Sequence, residues 1–264
     1  ETLDVVSETL LLPLCFRAME SRRPDALLRD SRAAEIVAQL NYDFAPLERQ
    51  SFQSLNVVMR AREFDRNVRA FLVAHPEGTV VDLGCATGST LLELARLLPD
   101  QGLRFIGVDN SAPMLHKARL KAELYSKQDS IRFELADITA THHHGVGAFI
   151  LHYTLQFIRP IRREQFIRSL YDDLRPGGVL ILSEKIILHD KRLNREYIDI
   201  YYQFKKSRGY SELEIAKKRE ALENVLIPFS IEENTALLRQ AGFTAVAPFF
   251  QWFNFASLIA VKPE

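Results

Sequence analysis

The feature that most constrains this chain is an apolar strand pattern that runs directly into a glycine-containing loop and then into a helix pattern. The β-branched run 79–83 is followed by Gly84-Cys85-Ala86-Thr87-Gly88. Glycines are needed where a ligand approaches the backbone closely, or where a turn requires backbone angles that a side chain would forbid. The helix that follows points its first N–H groups at the ligand, which favours an anionic group. These glycines alone are equally consistent with an ordinary strand-to-helix turn.

Strand and helix patterns alternate from residue 79 onward, which predicts a doubly wound, Rossmann-like α/β fold with a parallel sheet and right-handed crossovers. The predicted strands are 79–83, 104–108, 131–135, 148–151, 179–183, 244–249 and 256–261. The predicted helices are 89–98, 113–125, 163–174 and 232–241. The loop 84–88 therefore lies at the first strand-to-helix turn of the predicted sheet.

Two further stretches predict helices outside this alternation. In residues 1–75, apolar side chains such as Ala33, Ile36 and Val37 recur at three- and four-residue spacing, which indicates a helical N-terminal cap. Residues 190–230 are charged, rich in Lys, Arg, Glu and Tyr, and indicate a helical insertion before the last two strands. We therefore divide the chain into a cap, 1–75, and a ligand-binding domain, 76–264.

The charge balance and the cysteines restrict the classes of function. Lys plus Arg and Asp plus Glu number 34 each, so no overall field attracts nucleic acid or an anionic membrane. Cys15 and Cys85 lie far apart without metal-ligand spacing, which suits a reducing cytosol. No apolar run is long enough to span a bilayer, and the acidic start does not resemble a signal peptide. We expect a cytoplasmic protein, and the missing initiator Met leaves open a longer parent chain.

Two acidic residues follow later strands at the spacing that a nucleoside site needs. Asp109, followed by Asn110, ends the second predicted strand roughly 20 residues past the glycines, where a carboxylate can accept both ribose hydroxyls. Asp137, followed by Ile138, comes after the third strand, where it can accept from an adenine amino group. Each alone could be a surface Asp, but together with the loop and in this order they indicate one nucleoside site.

This arrangement resembles the class I methyltransferase family, and the resemblance implies S-adenosylmethionine rather than NAD as cofactor. The loop also lacks the G-x-G-x-x-G spacing of dinucleotide-binding folds. The cofactor-binding residues that follow from the loop, the acids and the resemblance are Asp82, Gly84, Cys85, Ala86, Gly88, Asp109, Asn110, Met114, Asp137 and Ile138. No metal is expected in the site.

The chain from residue 79 to its end resembles the carboxy-S-adenosylmethionine synthase family more specifically. The runs that carry the resemblance are 153–157, 182–185, 209–215, 222–225 and 250–255. That family makes the carboxymethyl donor for the wobble uridine of some tRNAs and transfers no methyl group. The resemblance implies that prephenate supplies the carboxyl group, that S-adenosylmethionine captures it as a sulfonium ylide, and that the protein is a homodimer. Because the net charge is zero, we expect no direct nucleic-acid contact.

The resemblance also implies a carboxylate clamp and leaves a second residue open. The family's distinctive Arg, which pairs with the added carboxylate, corresponds to Arg219. A planar guanidinium can hold a carboxylate through two parallel hydrogen bonds, although by residue type alone Arg219 reads as a solvated helix residue. His152 stands where the synthases have Asn. It is a candidate general base or, equally, a strand-end histidine that hydrogen-bonds to backbone.

The N-terminal region resembles a different family. The runs 8–13, 21–25, 28–30 and 59–65 are similar to leucine carboxyl methyltransferase-type O-methyltransferases. That resemblance implies that Arg60 or Arg62 contacts the methionine carboxylate of the cofactor. Ser54 lies where the synthases carry a Tyr, so the sequence departs from the synthase pattern near the expected pocket.

Three other features suggest sharper functions that we do not favour. His142-His143-His144 could hold a metal, but no acidic or Cys partner is spaced for it, and we expect a solvated loop. The aromatic and basic stretch 197–208 could stack RNA, but a dimer contact or an active-site lid is favoured at zero net charge. Cys85 has no His placed to activate it, so packing is favoured over nucleophilic chemistry.

The sequence therefore predicts a transferase that uses S-adenosylmethionine and makes carboxy-S-adenosylmethionine with prephenate. The main alternative is an O-methyltransferase acting on a small-molecule hydroxyl or carboxylate, as the N-terminal resemblance suggests. A non-catalytic cofactor-binding module of a larger protein is the third possibility.

Overall fold

The computed structural model describes residues 15–27, 29–39, 44, 78–98, 102–206, 210–223 and 225–264. The chain divides into two compact units, Glu1–Ala70 and Phe71–Glu264. The first unit contains a helix at residues 15–21 (α1) and a second helix at Ser31–Gln39 (α2). Cys15, Ala18, Ala33, Val37 and Phe44 form its small apolar core. The three- and four-residue spacing seen in the sequence thus corresponds to the buried face of α2.

The second unit is built on one seven-stranded sheet in the order β3-β2-β1-β4-β5-β7-β6. Its strands are β1 (Thr79–Leu83), β2 (Arg104–Asp109), β3 (Ile131–Leu135), β4 (Val146–His152), β5 (Leu174–Lys185), β6 (Ala245–Trp252) and β7 (Phe255–Val261). Strands β1 to β5 are parallel, whereas β7 is antiparallel to both β5 and β6. The predicted doubly wound α/β fold is confirmed.

Helices connect these strands at close to the predicted positions. They are α3 (Ser89–Leu97), α4 (Ala112–Leu124), α5 (Pro160–Asp173), α6 (Lys191–Lys206), α7 (Glu212–Glu223) and α8 (Ile231–Gln240). Helix α5 begins earlier than residue 163 because a proline is well suited to the first helical turn. Strand β5 begins before residue 179 because Leu174 already pairs with Val146 across a register shift in β4.

The core of the second unit lies on the central strands. Strand β4 is buried from Val146 to Leu151, as expected of a parallel strand that is covered on both faces. Leu83, Phe149, Leu182 and Leu258 belong to the same apolar cluster. Helix α8 packs against α5 and β6. Because β1 and β4 lie inside this core, the loops that follow them are held on a rigid base.

The charged stretch 190–230 contains helices α6 and α7. No residue of α6 is fully buried, yet its aromatic side chains contact the turn between β6 and β7. The Tyr201 and Phe255 ring centroids are 5.1 Å apart, and those of Phe204 and Trp252 are 5.0 Å apart. The aromatic residues of this stretch therefore pack on the β6–β7 hairpin. No helix within the described ranges is both long and apolar enough to cross a membrane.

Candidate active site

The strand order reverses between β1 and β4, and in open α/β sheets ligands bind outside the carboxyl ends of the strands at such a point. Asp82 of β1 pairs with Ile150 of β4, so the ends of these two strands are adjacent. The predicted loop 84–88, which we call the cofactor loop, follows β1. Asp109 ends β2, which is the other neighbour of β1. The sheet thus brings together most of the predicted cofactor-binding residues.

Left-handed backbone and close contacts explain the glycines of the cofactor loop. Gly84 has φ +79° and Gly88 has φ +68°. A Cβ atom on Gly84 would lie 2.6 Å from Thr154 Oγ1, and one on Gly88 would lie 2.8 Å from the Phe133 ring. Ala86 also adopts positive φ, at 48°, which is uncommon for a residue with a side chain. The loop is therefore a strained turn that is closely packed from both sides.

Asp109 is an anchor of the cofactor loop as well as a candidate ribose ligand. Its Oδ2 accepts a hydrogen bond of 2.9 Å from the Ala86 N–H, and its Oδ1 accepts one of 2.8 Å from the Ser111 N–H. The N–H groups of Gly84 and Cys85 both donate to the Val108 carbonyl. A carboxylate has further lone pairs, so Asp109 can hold the loop and still accept from a ligand.

Asp82 places a buried carboxyl group beneath the loop. Its side chain is 2% exposed, and its Oδ1 has no hydrogen-bond partner among the described residues. Loss of hydration, with the Asp109 charge nearby, raises the pKa of Asp82 to about 7. A buried acceptor of this kind costs free energy unless a donor or a cation reaches it. The site is thus suited to a positively charged ligand group.

Cys85 has the environment of a packing residue. It is buried, and its Sγ would lie 2.8 Å from a Cβ atom on Gly107. Burial raises the pKa of the Cys85 thiol far above its ordinary value, with further contributions from Asp82 and Asp109. The thiolate is the reactive form of cysteine. Nucleophilic chemistry at Cys85 is accordingly disfavoured.

The remaining predicted contacts flank the ends of β2 and β3. Asn110 follows β2 and is exposed, and Met114 lies half-buried in the first turn of α4. Asp137 is exposed beyond the end of β3, and Ile138 packs against the main core. Thr139 donates to Asp137 Oδ1 through its N–H at 2.9 Å and its hydroxyl at 2.8 Å, which lowers the pKa of Asp137.

The two predicted catalytic residues lie on different elements. His152 ends β4, and its ring stacks on the Tyr153 ring with centroids 4.9 Å apart. Arg219 is exposed on α7, where it forms no hydrogen bond or ion pair with any residue that the structure describes. Its guanidinium is therefore available to a ligand. Arg60, Arg62 and Ser54 lie outside the described residues.

Two of the three histidine rings contact one acid that the sequence did not indicate, whereas the His143 ring lies 3.5 Å from Glu134. Asp173, at the end of α5, is almost fully buried, and its two carboxylate oxygens lie 3.1 Å from His142 Nδ1 and 2.6 Å from His144 Nδ1. The expectation that no acidic partner is available was therefore wrong. Even so, the described part of the chain contains no group of three or more ligands that could hold a metal ion.

A buried polar network behind the end of β4 was not predicted from the sequence. Glu184 and Arg163 are 2% and 1% exposed. The Glu184 carboxylate accepts from the Leu155 and Gln156 N–H groups, and burial raises its pKa to about 8. The sequence signal for this network was one charged residue in each of two apolar patterns. Glu184 interrupts the apolar run of β5, and Arg163 lies on the apolar face of α5.

Comparison with known proteins agrees with this fold. Residues 80–178 match the family model of a methyltransferase domain. Human N-acetylserotonin methyltransferase, solved in complex with SAM, aligns over 83% of this chain and 56% of its own, with a TM-score of 0.53 and 16% identity. The fold and the cofactor loop thus define a class I S-adenosylmethionine-dependent methyltransferase fold.

Closer relatives define the family. The carboxy-S-adenosyl-L-methionine synthase of Desulfotalea psychrophila is 62% identical over 186 residues, which cover 70% of this chain and 76% of that protein. The enzyme of the same name from Wolinella succinogenes is 49% identical over 187 residues, which cover 71% and 77%. This chain belongs to the carboxy-S-adenosyl-L-methionine synthase family and is a SAM-dependent transferase.

Proposed function

We propose that this chain makes carboxy-S-adenosylmethionine from S-adenosylmethionine and prephenate. The observation that carries the proposal is the 62% identity to a synthase of that name. A local feature supports it, since Arg219 offers an exposed guanidinium without a partner among the described residues. A carboxy-S-adenosylmethionine synthase needs a cation to hold the carboxylate that is added to the cofactor. An ordinary methyltransferase has no such carboxylate to hold.

The residues at the end of β1 fit S-adenosylmethionine. Asp82 Oδ1, which has no hydrogen-bond partner among the described residues, suits the ammonium group of the methionine end. At Gly84 the close packing leaves no room for a side chain, so the loop would present its backbone to the ligand. In the proposal, Asp109 accepts from the ribose and Asp137 from the adenine amino group. Further contacts come from Cys85, Ala86, Gly88, Asn110, Met114 and Ile138.

The chemistry divides between the sulfonium and the protein. The bound sulfonium would make the protons of its attached methyl group acidic. In the proposed reaction one of these C–H bonds breaks, and the methyl carbon bonds to the carboxyl carbon that prephenate releases. The prephenate ring loses its hydroxyl group as it becomes aromatic, so the proton and the hydroxide leave as water and phenylpyruvate remains. Arg219 would hold the added carboxylate through two parallel hydrogen bonds. A cation placed in advance stabilises negative charge without reorganisation. His152 is the candidate general base that accepts a proton at this edge, and the alternative role is a strand-end histidine that hydrogen-bonds to backbone.

The test is to identify the small molecule that the purified protein retains. We expect mass spectrometry to find a ligand heavier than S-adenosylmethionine by one carboxyl group. Arg219→Ala should keep S-adenosylmethionine and lose the preference for the carboxylated form, whereas Arg195→Ala, on an exposed position of α6, should match the wild type. Retention of only the unmodified or demethylated ligand, or equal loss of both ligands in Arg219→Ala, would contradict the proposal.

The second candidate function is an O-methyltransferase that acts on a small-molecule hydroxyl or carboxylate. It is favoured by the N-terminal resemblance and by His152 in the position where the synthases have Asn. Methyl transfer needs little more than an acceptor in line with the sulfonium. Demethylated cofactor that accumulates with a small acid, together with indifference to prephenate, would support this function over the first.

The finer parts of the proposal concern the cell and the assembly. We infer a cytoplasmic homodimer that supplies a tRNA modification pathway without itself contacting nucleic acid. In the same proposal, residues 1–75 are a helical N-terminal cap, residues 76–264 are the cofactor-binding catalytic domain, and Arg60 contacts the methionine carboxylate. The molecular mass of the purified protein in solution tests the homodimer. The affinity of Arg60→Ala for S-adenosylmethionine tests the contact with the methionine carboxylate.

A further inference from the structure

Tyr153 has an unusual backbone conformation at the carboxyl end of β4. Its φ is +60°, in the left-handed region that residues with bulky side chains rarely adopt. Such strain persists only where the surrounding structure holds it, and it concentrates at functional sites. Tyr153 directly follows His152, and β4 neighbours the strand that leads into the cofactor loop.

Hydrogen bonds hold Tyr153 on both sides. Its N–H donates to the Ser183 carbonyl at 2.7 Å. Its carbonyl accepts a hydrogen bond of 3.2 Å from Gln156 Nε2. The first bond is a strand-to-strand contact of the backbone, whereas Gln156 adds a side-chain restraint on the left-handed turn.

Gln156 is itself held at every polar group. It is 5% exposed, and its N–H donates to Glu184 Oε2 at 2.9 Å. Its Oε1 accepts from the Lys185 N–H at 3.2 Å, and its carbonyl accepts from the Ile227 N–H at 2.9 Å. A buried amide with all its groups engaged has little freedom to move. Gln156 is therefore a rigid support for the Tyr153 carbonyl.

The chain direction at Tyr153 decides where Thr154 lies. The Thr154 side chain fills the space beside Gly84, since a Cβ atom added there would come within 2.6 Å of its Oγ1 and 2.7 Å of its methyl carbon. If Tyr153 relaxed to an ordinary conformation, Thr154 would leave this position and the cofactor loop would lose the packing on one side.

We propose that Gln156 is a positioning residue for the reaction. It holds Tyr153 in the left-handed conformation, which keeps Thr154 against Gly84 and the cofactor loop in its binding shape. The inference rests on the proposed placement of S-adenosylmethionine at this loop. It assigns Gln156 no contact with the cofactor, because its action passes through Tyr153 and Thr154.

The test asks whether glycine at position 153 compensates for loss of the Gln156 hydrogen bond. Gln156→Leu should weaken S-adenosylmethionine binding, measured by calorimetry, by about tenfold, which corresponds to the preference against the left-handed region. Adding Tyr153→Gly should restore the binding, since glycine adopts this conformation without help. Adding Tyr153→Ala is the matched control: it removes the same ring, keeps the penalty and should restore nothing.

A purely structural role for Gln156 predicts equal binding by the two double variants, and that result would overturn the proposal. If Gln156→Leu fails to fold, the single variants Tyr153→Gly and Tyr153→Ala are compared by thermal unfolding. A higher Tm for Tyr153→Gly than for Tyr153→Ala supports backbone strain at position 153, and equal Tm values refute it. Wild-type protein that binds S-adenosylmethionine but makes no carboxylated product would contradict the proposed function while leaving this comparison intact.

Discussion

The ammonium group of Lys121 donates a hydrogen bond of 2.7 Å to the hydroxyl of Thr87. Thr87 is buried inside the cofactor loop, and Lys121 lies on α4, so the bond ties a helix to the loop. The same ammonium lies 3.2 Å from Ser89 Oγ at the start of α3. Burial, with a smaller effect of Lys117, lowers the pKa of Lys121 to about 8.

Lys121→Met should change how the free energy of unfolding depends on pH. The pKa of Lys121 is lower in the folded protein than in the unfolded chain, so between pH 8 and 10.5 the unfolded chain binds more protons. The wild type should therefore gain stability over this window relative to the variant, by at most about 3 kcal/mol. Urea unfolding at pH 8 and pH 10 measures the difference, with Lys191→Met, at an exposed position of α6, as control. Equal changes in wild type and Lys121→Met would contradict the expectation.

Asp82 should make S-adenosylmethionine binding depend on pH. Its raised pKa of about 7 leaves the carboxyl group largely neutral in the free protein at pH 6. A cationic ligand prefers the ionised form, so affinity should rise as pH rises through 7, by up to about tenfold per pH unit below that value. Calorimetry at pH 6.0 and 7.5 should show this in the wild type and not in Asp82→Asn.

The matched control for Asp82 is Asp137→Asn. The pKa of Asp137 is lowered by its bonds to Thr139, so this carboxylate stays ionised across the same pH range. The control should weaken binding and keep the pH dependence of the wild type. A pH dependence that survives in Asp82→Asn would assign it to another group.

Gly84→Ala should lower the affinity for S-adenosylmethionine by about a hundredfold or more. The added Cβ would meet Thr154 at 2.6 Å and would also sit on a backbone with φ +79°. Gly145→Ala separates the two effects, since Gly145 has φ +71° but no atom of the described residues lies within 4 Å of its Cβ position. It should lower stability by about 1–2 kcal/mol and leave binding unchanged. Similar affinity losses in the two variants would show that strain, not contact, explains the requirement.

Arg163→Met should lower the free energy of unfolding by about 3 kcal/mol or more. Its guanidinium is buried, donates to the carbonyls of Ile158, Gln156 and Ile227, and lies 4.2 Å from the Phe229 ring centroid. The variant would leave these buried carbonyls without the guanidinium donor and would remove a positive charge near Glu184. Arg168→Met, which removes an exposed pair with Asp172 on the same helix, should cost less than about 1 kcal/mol. Urea unfolding compares them, and equal costs would refute the buried role.

Much of the fold could be predicted because strand and helix periods are local properties. The run 79–83, the glycines and the acid at Asp109 lie in the order that a doubly wound sheet requires, and the structure brings their positions to one edge. The first residues of β5 and α5 were harder to predict. The start of β5 depends on a register shift with β4, and the start of α5 depends on a proline in the first helical turn.

The supports of the candidate site could not be predicted in the same way. Lys121 and Thr87 are 34 residues apart, Glu184 and Leu155 are 29 apart, and His142 and Asp173 are 31 apart. Residue type alone assigns each charged side chain among them to the solvent, because isolated charges are rarely buried. Only the folded chain supplies the partners that make burial of Glu184, Arg163 and Asp173 tolerable.

By itself, the sequence determined the order of strands and helices, the position of the loop between β1 and α3, and the family to which the chain belongs, because these follow from local periodicity and contiguous motifs. The tertiary structure alone decided that Asp82 Oδ1 is buried without a hydrogen-bond partner among the described residues, that Asp109 fastens the loop, and that the Gln156 amide donates to the Tyr153 carbonyl. Hydration, hydrogen bonding and backbone strain depend on tertiary contacts between residues that are distant in the sequence, and no local sequence pattern specifies those contacts.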